Sequence, residues 1–220
     1  MEELTIAIAD TTVSAIAERP TGARAMLVLA HGAGAGMRHA FMNQLAAALA
    51  GRGVATLRYQ FPYMEAGRGR PDRPALLEST VRAAVAEAAR RAPDLPLFAG
   101  GKSMGGRMTS RAQAEAAMPG LRGLVFVGFP LHPPGAPATA RADHLARVSL
   151  PMLFLQGTRD DLAGLDLLAP IVLAMPHAFL EVVDGADHSF VLPAAEARVR
   201  SALAELADAA AGWMSALSGP

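Results

Sequence analysis

The segment FAGGKSMGGR, residues 98–107, contains a serine between glycines and matches two unrelated chemistries. As G-K-S it has the ending of a phosphate-binding P-loop, and as G-x-S-x-G it has the spacing of a serine nucleophile turn. A P-loop needs a further glycine five residues before Gly101, where this chain has Pro96. Proline has no N–H to offer a phosphate, so the segment predicts a nucleophile rather than a nucleotide site.

A serine nucleophile of this kind sits on a sharp turn between a strand and a helix, with small residues on either side. Gly101 and Gly105 flank Ser103, an apolar strand pattern precedes them, and a helical pattern follows through residues 108–118. A serine hydroxyl is a weak nucleophile until a neighbouring base takes its proton. The segment therefore predicts that Ser103 attacks a substrate and that a histidine and an acid lie elsewhere in the chain.

Two later motifs supply candidates for the acid and the base. Asp160 in QGTRD follows the apolar run at residues 152–155, and His188 in DGADHSF follows the run at 179–183. The chain order serine, acid, histidine is the one used with this nucleophile turn. We predict that Asp160 orients His188, with Asp161 and Asp187 as alternative acids.

Acyl transfer also builds up negative charge on an oxygen, which two backbone N–H groups must stabilise. One predicted donor is Met104, directly after Ser103. The other is Ala33, in the glycine-rich segment HGAGAG at residues 31–36. Its spacing, G-x-G-x-G, does not match the G-x-G-x-x-G of a dinucleotide loop. We expect Gly34 in the same segment to let the backbone approach the substrate.

The remaining charged candidates are expected to be structural. His39, His144 and His177 lie in or beside helical segments and are predicted to be surface or capping residues. Lys102 and Arg107 flank the serine turn and are expected to point outward. Neither H-E-x-x-H nor another spacing typical of metal ligands occurs, so we predict no metal and no cofactor.

These residues must be held by a sheet whose strands alternate with helices. An opening hairpin is predicted at residues 4–18, and short apolar runs suited to strands buried on both faces follow at 26–30, 54–57, 95–99, 124–127, 152–155 and 179–183. Helical stripes lie between them, the last over residues 199–217. This pattern predicts one α/β domain over residues 1–220, with a mostly parallel, doubly wound sheet of about eight strands and helices on both faces.

The composition limits the classes of partner. Lys and Arg together number 20, as do Asp and Glu, so a net charge of zero favours neither nucleic acid nor an anionic membrane. No apolar stretch is long enough to span a membrane, and the acidic N-terminal residues do not match a secretory signal. Cysteine is absent, which suits a reducing compartment. We expect a cytoplasmic protein with a small-molecule substrate, and the sequence gives no prediction of oligomeric state.

With the motifs HGAG, GKSMG, GTRD and GADHSF in this order, the chain resembles the α/β-hydrolase superfamily over nearly its whole length. It looks like the small bacterial serine hydrolases near the dienelactone hydrolases and carboxylesterases. Dienelactone hydrolases typically have cysteine where this chain has Ser103. The segment at residues 129–149, where relatives often carry a lid, is too short for a lid domain. The resemblance thus implies an open site. Aromatic and apolar residues that follow strand ends are expected either to line its mouth or to pack in the core, and we assign them to the mouth: Tyr59, Phe61, Tyr63, Phe129 and Leu131.

The sequence accordingly predicts a serine hydrolase that acts on carboxylic esters or thioesters of small molecules through an acyl-enzyme intermediate. Two alternatives stay open. The same machinery serves peptidases and acyltransferases, and the same fold can act as a non-catalytic binding or scaffolding module.

Overall fold

The computed structural model describes residues 1–219 and contains eight strands and six α-helices within them. The strands are β1 (Glu2–Ile8), β2 (Thr11–Glu18), β3 (Ala25–Ala30), β4 (Val54–Tyr59), β5 (Leu97–Lys102), β6 (Leu121–Val127), β7 (Met152–Arg159) and β8 (Ala178–Asp187). The helices are α1 (Ala40–Ala50), α2 (Pro62–Glu65), α3 (Pro74–Arg91), α4 (Met104–Glu115), α5 (Leu165–Leu173) and α6 (Ala202–Ser218). Two 3-10 helices lie at Ala140–Arg147 and Glu196–Arg198.

All eight strands form one sheet in the order β1-β2-β4-β3-β5-β6-β7-β8. The hairpin β1–β2 is antiparallel, and β2 pairs antiparallel with β4. The six strands β3 to β8 are parallel to one another. The sequence-based prediction of a mostly parallel sheet of about eight strands is confirmed. Parallel strands bring their carboxyl ends to one edge, which is where the motif residues meet.

Helices cover both faces of the sheet and bury a core on each. In β3, Met26 and Val28 point to the face covered by α3, α4 and α5, while Leu27 and Leu29 point to the face covered by α1 and α6. An uninterrupted apolar run such as AMLVLA is what a strand needs when both of its faces are buried. The helices contribute single apolar stripes, because each has only one face against the sheet.

Several boundaries differ from the sequence-based prediction. Strand β5 continues to Lys102, so Gly100 and Gly101 lie within the sheet rather than in a turn. The last helix begins at Ala202, and Val199, placed in its stripe from the sequence, is exposed. Helix α5 was not predicted, because it has only nine residues and contains Pro170.

The connection from β6 to β7 contains the 3-10 helix at Ala140–Arg147 and no lid domain. This agrees with the expectation that residues 129–149 are too short for a lid domain. None of the helices within residues 1–219 combines the length and apolar character needed to cross a membrane.

Candidate active site

Ser103 lies on a strained turn between β5 and α4. Its backbone has φ 52° and ψ −117°, a left-handed value that is uncommon for a residue with a side chain. The turn passes so close to β3 that a Cβ on Gly101 would lie 2.4 Å from the Ala30 carbonyl oxygen. A Cβ on Gly105 would lie 2.6 Å from the His31 carbonyl oxygen. The two glycines are therefore required for the tight approach that presents Ser103 at the sheet edge.

His188 and Asp160 complete a hydrogen-bonded chain with Ser103. The Ser103 hydroxyl lies 3.0 Å from His188 Nε2, and His188 Nδ1 lies 2.7 Å from Asp160 Oδ2. Asp160 comes directly after β7 and His188 directly after β8, two neighbouring parallel strands. A carboxylate only accepts, so Nδ1 carries the proton and Nε2 presents its lone pair to Ser103. This is the arrangement in which an imidazole can take a proton from serine.

Two groups besides His188 fix the Asp160 carboxylate, whose side chain is fully buried. The Gln156 amide donates to Oδ2 at 2.6 Å and the Leu162 backbone N–H donates to Oδ1 at 2.9 Å. Gln156 is itself oriented by accepting from the Phe129 N–H at 2.9 Å. Because both carboxylate oxygens are hydrogen-bonded, the acid is held toward His188 rather than toward solvent.

The alternative acids have other positions. Asp161 follows Asp160 and is exposed. Asp187 accepts from the N–H groups of Ser189 at 2.8 Å and Val191 at 2.9 Å, so it fixes the turn that carries His188. Of the three candidates, Asp160 is the one whose carboxylate contacts the imidazole.

The glycine-rich segment after β3 is held against the serine turn by buried side chains. The His31 Nδ1 donates to the Gly32 carbonyl at 2.7 Å, and its Nε2 accepts from the Phe61 N–H at 3.0 Å. Burial lowers the pKa of His31 to about 4, so the ring is neutral and can make both bonds. The Tyr63 hydroxyl donates to the Ala33 carbonyl at 2.7 Å. Burial, and the nearby charge of Asp72, raise the pKa of Tyr63 to about 12, which keeps that donor protonated.

The two predicted oxyanion donors belong to different segments near Ser103: Met104 follows it directly, and Ala33 lies in the braced loop. Met104 is the first residue of α4, where backbone N–H groups have no partner within the helix. Ala33 follows Gly32, whose Cα is close enough to Ser103 that an added Cβ would lie 3.8 Å from the serine Cβ. Hydrogen bonds from two sides leave this loop little freedom to move away from the serine.

A cavity of about 580 Å³ opens beside Ser103 and His188. Gly34, predicted to approach substrate, lines it together with Ala33 and Lys102. Most of the remaining wall is apolar and comes from α1, from the loop after β8 and from the start of α6: Phe41, Met42, Phe190, Val191 and Leu203. The polar part of the lining comes from six side chains: His39, Gln44, Lys102, Ser103, His188 and Ser189. Apolar walls that carry a limited set of polar groups are typical of a small-molecule site.

The aromatic and apolar residues predicted for the mouth of the site lie in the core instead. Tyr59, Phe129 and Leu131 are each at most 1 % exposed and do not line the cavity. Tyr59 is the last residue of β4 and pairs with Ala30 in the middle of the sheet. Phe129 packs edge-on against Phe126 and Phe154. The prediction that these residues line the mouth of the site is therefore wrong, because the ends of these strands are covered by other segments and the side chains pack in the core.

Lys102 does not point outward as predicted. Its Nζ lies 3.2 Å from His188 Nε2 and 5.6 Å from the centre of the Phe190 ring. Burial lowers the pKa of Lys102 to about 8, although the charges of Asp160 and Asp187 act in the opposite direction. The lysine and the Ser103 hydroxyl therefore approach the same nitrogen of the same imidazole.

The other histidines divide into different roles. His39 caps α1 by accepting from the Phe41 N–H at 3.3 Å, as predicted, and His177 is exposed. His144, predicted to be a surface or capping residue, is buried, with its Nε2 2.7 Å from the Ser110 hydroxyl. Among residues 1–219, no group of three or more His, Cys, Asp or Glu side chains is arranged to hold a metal ion.

The inward position of Lys102 and the residues of the cavity wall were not predicted from the sequence. Their positions carried a signal, because Phe190 and Val191 directly follow His188 and Lys102 occupies the first variable position of G-x-S-x-G. The sequence does not reveal that the loop after β8 folds back over the end of β5, where Phe190 contacts Lys102.

Comparison with known proteins agrees with this architecture. Residues 23–215 match the family described as alpha/beta hydrolase domain. An alpha-beta serine hydrolase homologue from Coxiella burnetii is 19 % identical with a TM-score of 0.75, covering 96 % of each chain. A dienelactone hydrolase from Anabaena variabilis is 21 % identical with a TM-score of 0.77, covering 98 % of this chain and 97 % of its own. A serine hydrolase without lid from Xanthomonas campestris is 18 % identical with a TM-score of 0.69, covering 86 % of each chain. At these identities the structural similarity establishes a common fold.

Proposed function

Because this chain belongs to the alpha/beta hydrolase family, we propose that it is a serine hydrolase that cleaves carboxylic esters or thioesters of small molecules. The observation that carries the proposal is the continuous hydrogen-bonded chain from Asp160 through His188 to Ser103, with contacts of 2.7 and 3.0 Å. The strained backbone of Ser103 adds support, since such strain concentrates at functional sites.

The proposed reaction begins when Ser103 Oγ attacks the acyl carbon while its proton moves to His188 Nε2. The carbonyl oxygen becomes an oxyanion, which accepts hydrogen bonds from the N–H groups of Ala33 and Met104. When the carbonyl re-forms, the bond to the alcohol or thiol breaks and His188 returns the proton to this leaving group. The acyl group then remains as an ester on Ser103.

The second half of the reaction uses the same groups with water as the nucleophile. His188 Nε2 takes a proton from water, and the resulting hydroxide adds to the acyl carbon on Ser103. This addition forms a second oxyanion. When its carbonyl re-forms, the bond from the acyl carbon to Ser103 Oγ breaks, the carboxylic acid leaves, and His188 returns the proton to Ser103 Oγ. In both halves Asp160, fixed by Gln156, stabilises the imidazolium that forms and holds the ring in position.

The shape of the cavity supports a compact, mostly apolar acyl or alcohol group. A volume of about 580 Å³ is in the range of small-molecule sites, and the walls from Phe41, Phe190 and Leu203 favour hydrocarbon. Gly34 lies in the wall and lets the backbone of the oxyanion loop contact the substrate. The zero net charge of the chain supports a small substrate rather than nucleic acid, and the absence of cysteine suits action in the cytoplasm.

One observation favours the alternative of a non-catalytic binding module. The Lys102 ammonium can donate to His188 Nε2 at 3.2 Å, the same lone pair that must take the Ser103 proton. If this contact were permanent, Ser103 would not be activated. Peptidase and acyltransferase activities would use the same groups and differ in the substrate or in the acceptor.

Intact-mass analysis after incubation with a fluorophosphonate tests the proposal. The wild-type protein should gain one adduct, and Ser103→Ala should gain none. Ser189→Ala is the matched control, because Ser189 lines the same cavity but lies outside the Ser103 turn; this variant should gain one adduct, as the wild type does. No adduct on a folded wild-type protein would overturn the hydrolase proposal and support the binding module.

A further inference from the structure

A second cavity, of about 340 Å³, lies between α4 and the 3-10 helix at Ala140–Arg147. It shares no lining residue with the cavity beside Ser103. Its wall is strongly basic and contains four arginines, two from α4 and two from the 3-10 helix: Arg107, Arg111, Arg141 and Arg147.

The charges of this cavity are poorly compensated. Arg111 forms an ion pair with Glu78 at 2.6 Å, and Asp143 is the one acid in the cavity wall. Within residues 1–219, the other three arginines form no ion pair. Counting Glu78 and Asp143 against four arginines leaves a local charge of about +2 on a chain whose total is zero.

Arg107 is one of the three arginines without an ion pair in the described part of the chain, and part of its guanidinium is buried. Its Nε is buried and has no hydrogen-bond partner among the described residues. Burial lowers the pKa of Arg107 to about 10, and repulsion from Arg141 and Arg111 adds to this effect. A buried hydrogen-bond donor without a partner costs free energy, so proteins usually provide a partner for an arginine in such a position.

His144 in the cavity wall is neutral and is held by a hydrogen bond to Ser110. Burial, with the charges of Arg111, Arg107 and Arg147, lowers the pKa of His144 to about 4. The neutral ring contacts the Ser110 hydroxyl at 2.7 Å, and Ser110 donates to the Arg107 carbonyl at 3.0 Å. These bonds join the 3-10 helix to α4, so the arginines are held on both sides of a fixed space.

We propose that this cavity binds a small molecule that carries a phosphate group. The guanidinium groups offer planar pairs of N–H donors that match phosphate oxygens. A phosphate monoester carries nearly two negative charges at neutral pH, which balances the local excess. The bound group would pair Arg107 and link α4 to the 3-10 helix. Binding there requires no step of the proposed hydrolysis.

Isothermal titration calorimetry with inorganic pyrophosphate, at constant ionic strength, tests this site. The wild-type protein should show saturable binding to a single site. Arg107→Gln and Arg141→Gln should each weaken it at least about tenfold, because each loses a charged hydrogen-bond donor. Arg122→Gln, an exposed arginine at the start of β6, is the matched control and should change the affinity by less than about twofold.

Each outcome decides the proposal. If the folded wild-type protein shows no saturable binding, or if Arg122→Gln weakens binding as much as Arg107→Gln, the site is overturned. Thermal melting checks that each variant is folded, and Arg141→Gln remains informative if Arg107→Gln is not. Ser103→Ala should bind pyrophosphate like the wild type, so failure of the hydrolase proposal and failure of this site give different results.

Discussion

Two half-buried cations, one at the end of β5 and one in the first turns of α4, differ in what surrounds them. Lys102, just before Ser103, faces an imidazole, an aromatic ring and two acids, Asp160 and Asp187. Arg107, one turn into the helix, faces other arginines and has an unpartnered Nε. The first cation belongs to a site that the chain completes by itself. The second lacks a partner of opposite charge, which is why we infer an external anion there and not at Lys102.

The largest expected effect separates the two sites. Ser103→Ala should lower kcat for ester hydrolysis by about 10⁴- to 10⁶-fold, as nucleophile removal does in other serine hydrolases. Pyrophosphate binding should be unchanged, because Ser103 lies outside the arginine cavity. Steady-state kinetics and calorimetry on the same preparation measure both. Ester hydrolysis at the wild-type rate would contradict the role of Ser103.

The second-largest expected effect concerns Asp160, the acid that orients His188 and lies near Lys102. Asp160→Asn should lower kcat by about 10³- to 10⁴-fold, because an amide neither fixes the required tautomer of His188 nor stabilises the imidazolium. Asp161→Asn is the matched control, since the neighbouring carboxylate is exposed; its kcat should stay near that of the wild type. If both variants retained activity, another group would have to orient His188.

The pH dependence of kcat/KM tests what Lys102 does to the base. Below about pH 8 Lys102 is an ammonium that donates to His188 Nε2 and opposes the imidazolium, and above this pH it is a neutral amine. The kcat/KM of the wild type should therefore rise through about pH 8. Lys102→Met removes the competing donor and should move this rise to lower pH, giving about tenfold higher activity near pH 6.5.

The groups that face Lys102 set the limits of this prediction. Asp160 and Asp187 raise its pKa, and His188 shares its hydrogen bond, so burial is the factor that lowers the pKa. A Lys102→Met profile that matches the wild type would show that the lysine does not control the base. A profile displaced to higher pH would show that Lys102 assists catalysis instead.

The smallest expected effect is on stability. Arg107→Met should raise the free energy of unfolding by about 1 kcal/mol and the melting temperature by about 2–4 °C, because it removes a desolvated charge repelled by its neighbours. The gain is small since part of the guanidinium reaches solvent. Arg111→Met should not stabilise, because it leaves Glu78 without its ion pair at 2.6 Å. Thermal melts without added anion measure both, and stabilisation of equal size in the two variants would contradict the comparison.

The sequence was informative where chemistry follows a strand. Ser103 and Asp160 come directly after the buried strands β5 and β7, and His188 comes directly after the partly exposed edge strand β8. Parallel strands bring these ends together. The apolar runs that reveal such strands are local, so the fold class could be predicted and the three side chains assigned to one edge. The three side chains come directly after their strands, so the short connections leave them few alternative orientations.

The features that escaped prediction depend on distant packing. Tyr59 and Phe129 were expected at a mouth because they end strands, but other segments cover them. Lys102 was expected outside, although the turn at Phe190, itself a residue with positive φ, folds back over it. The arginine cavity needs the 3-10 helix to pack on α4, a contact that no periodicity in the sequence indicates.

The central claim is that Ser103 carries the acyl group during turnover. Rapid mixing with p-nitrophenyl acetate, an acid quench and peptide mapping would locate that group directly. The account predicts an acetyl group on the peptide that contains Ser103, formed together with the first p-nitrophenol and absent from Ser103→Ala. If the wild-type protein released p-nitrophenol while the acetyl group lay on another residue, or if Ser103→Ala hydrolysed the ester as fast as the wild type, the claim would be contradicted.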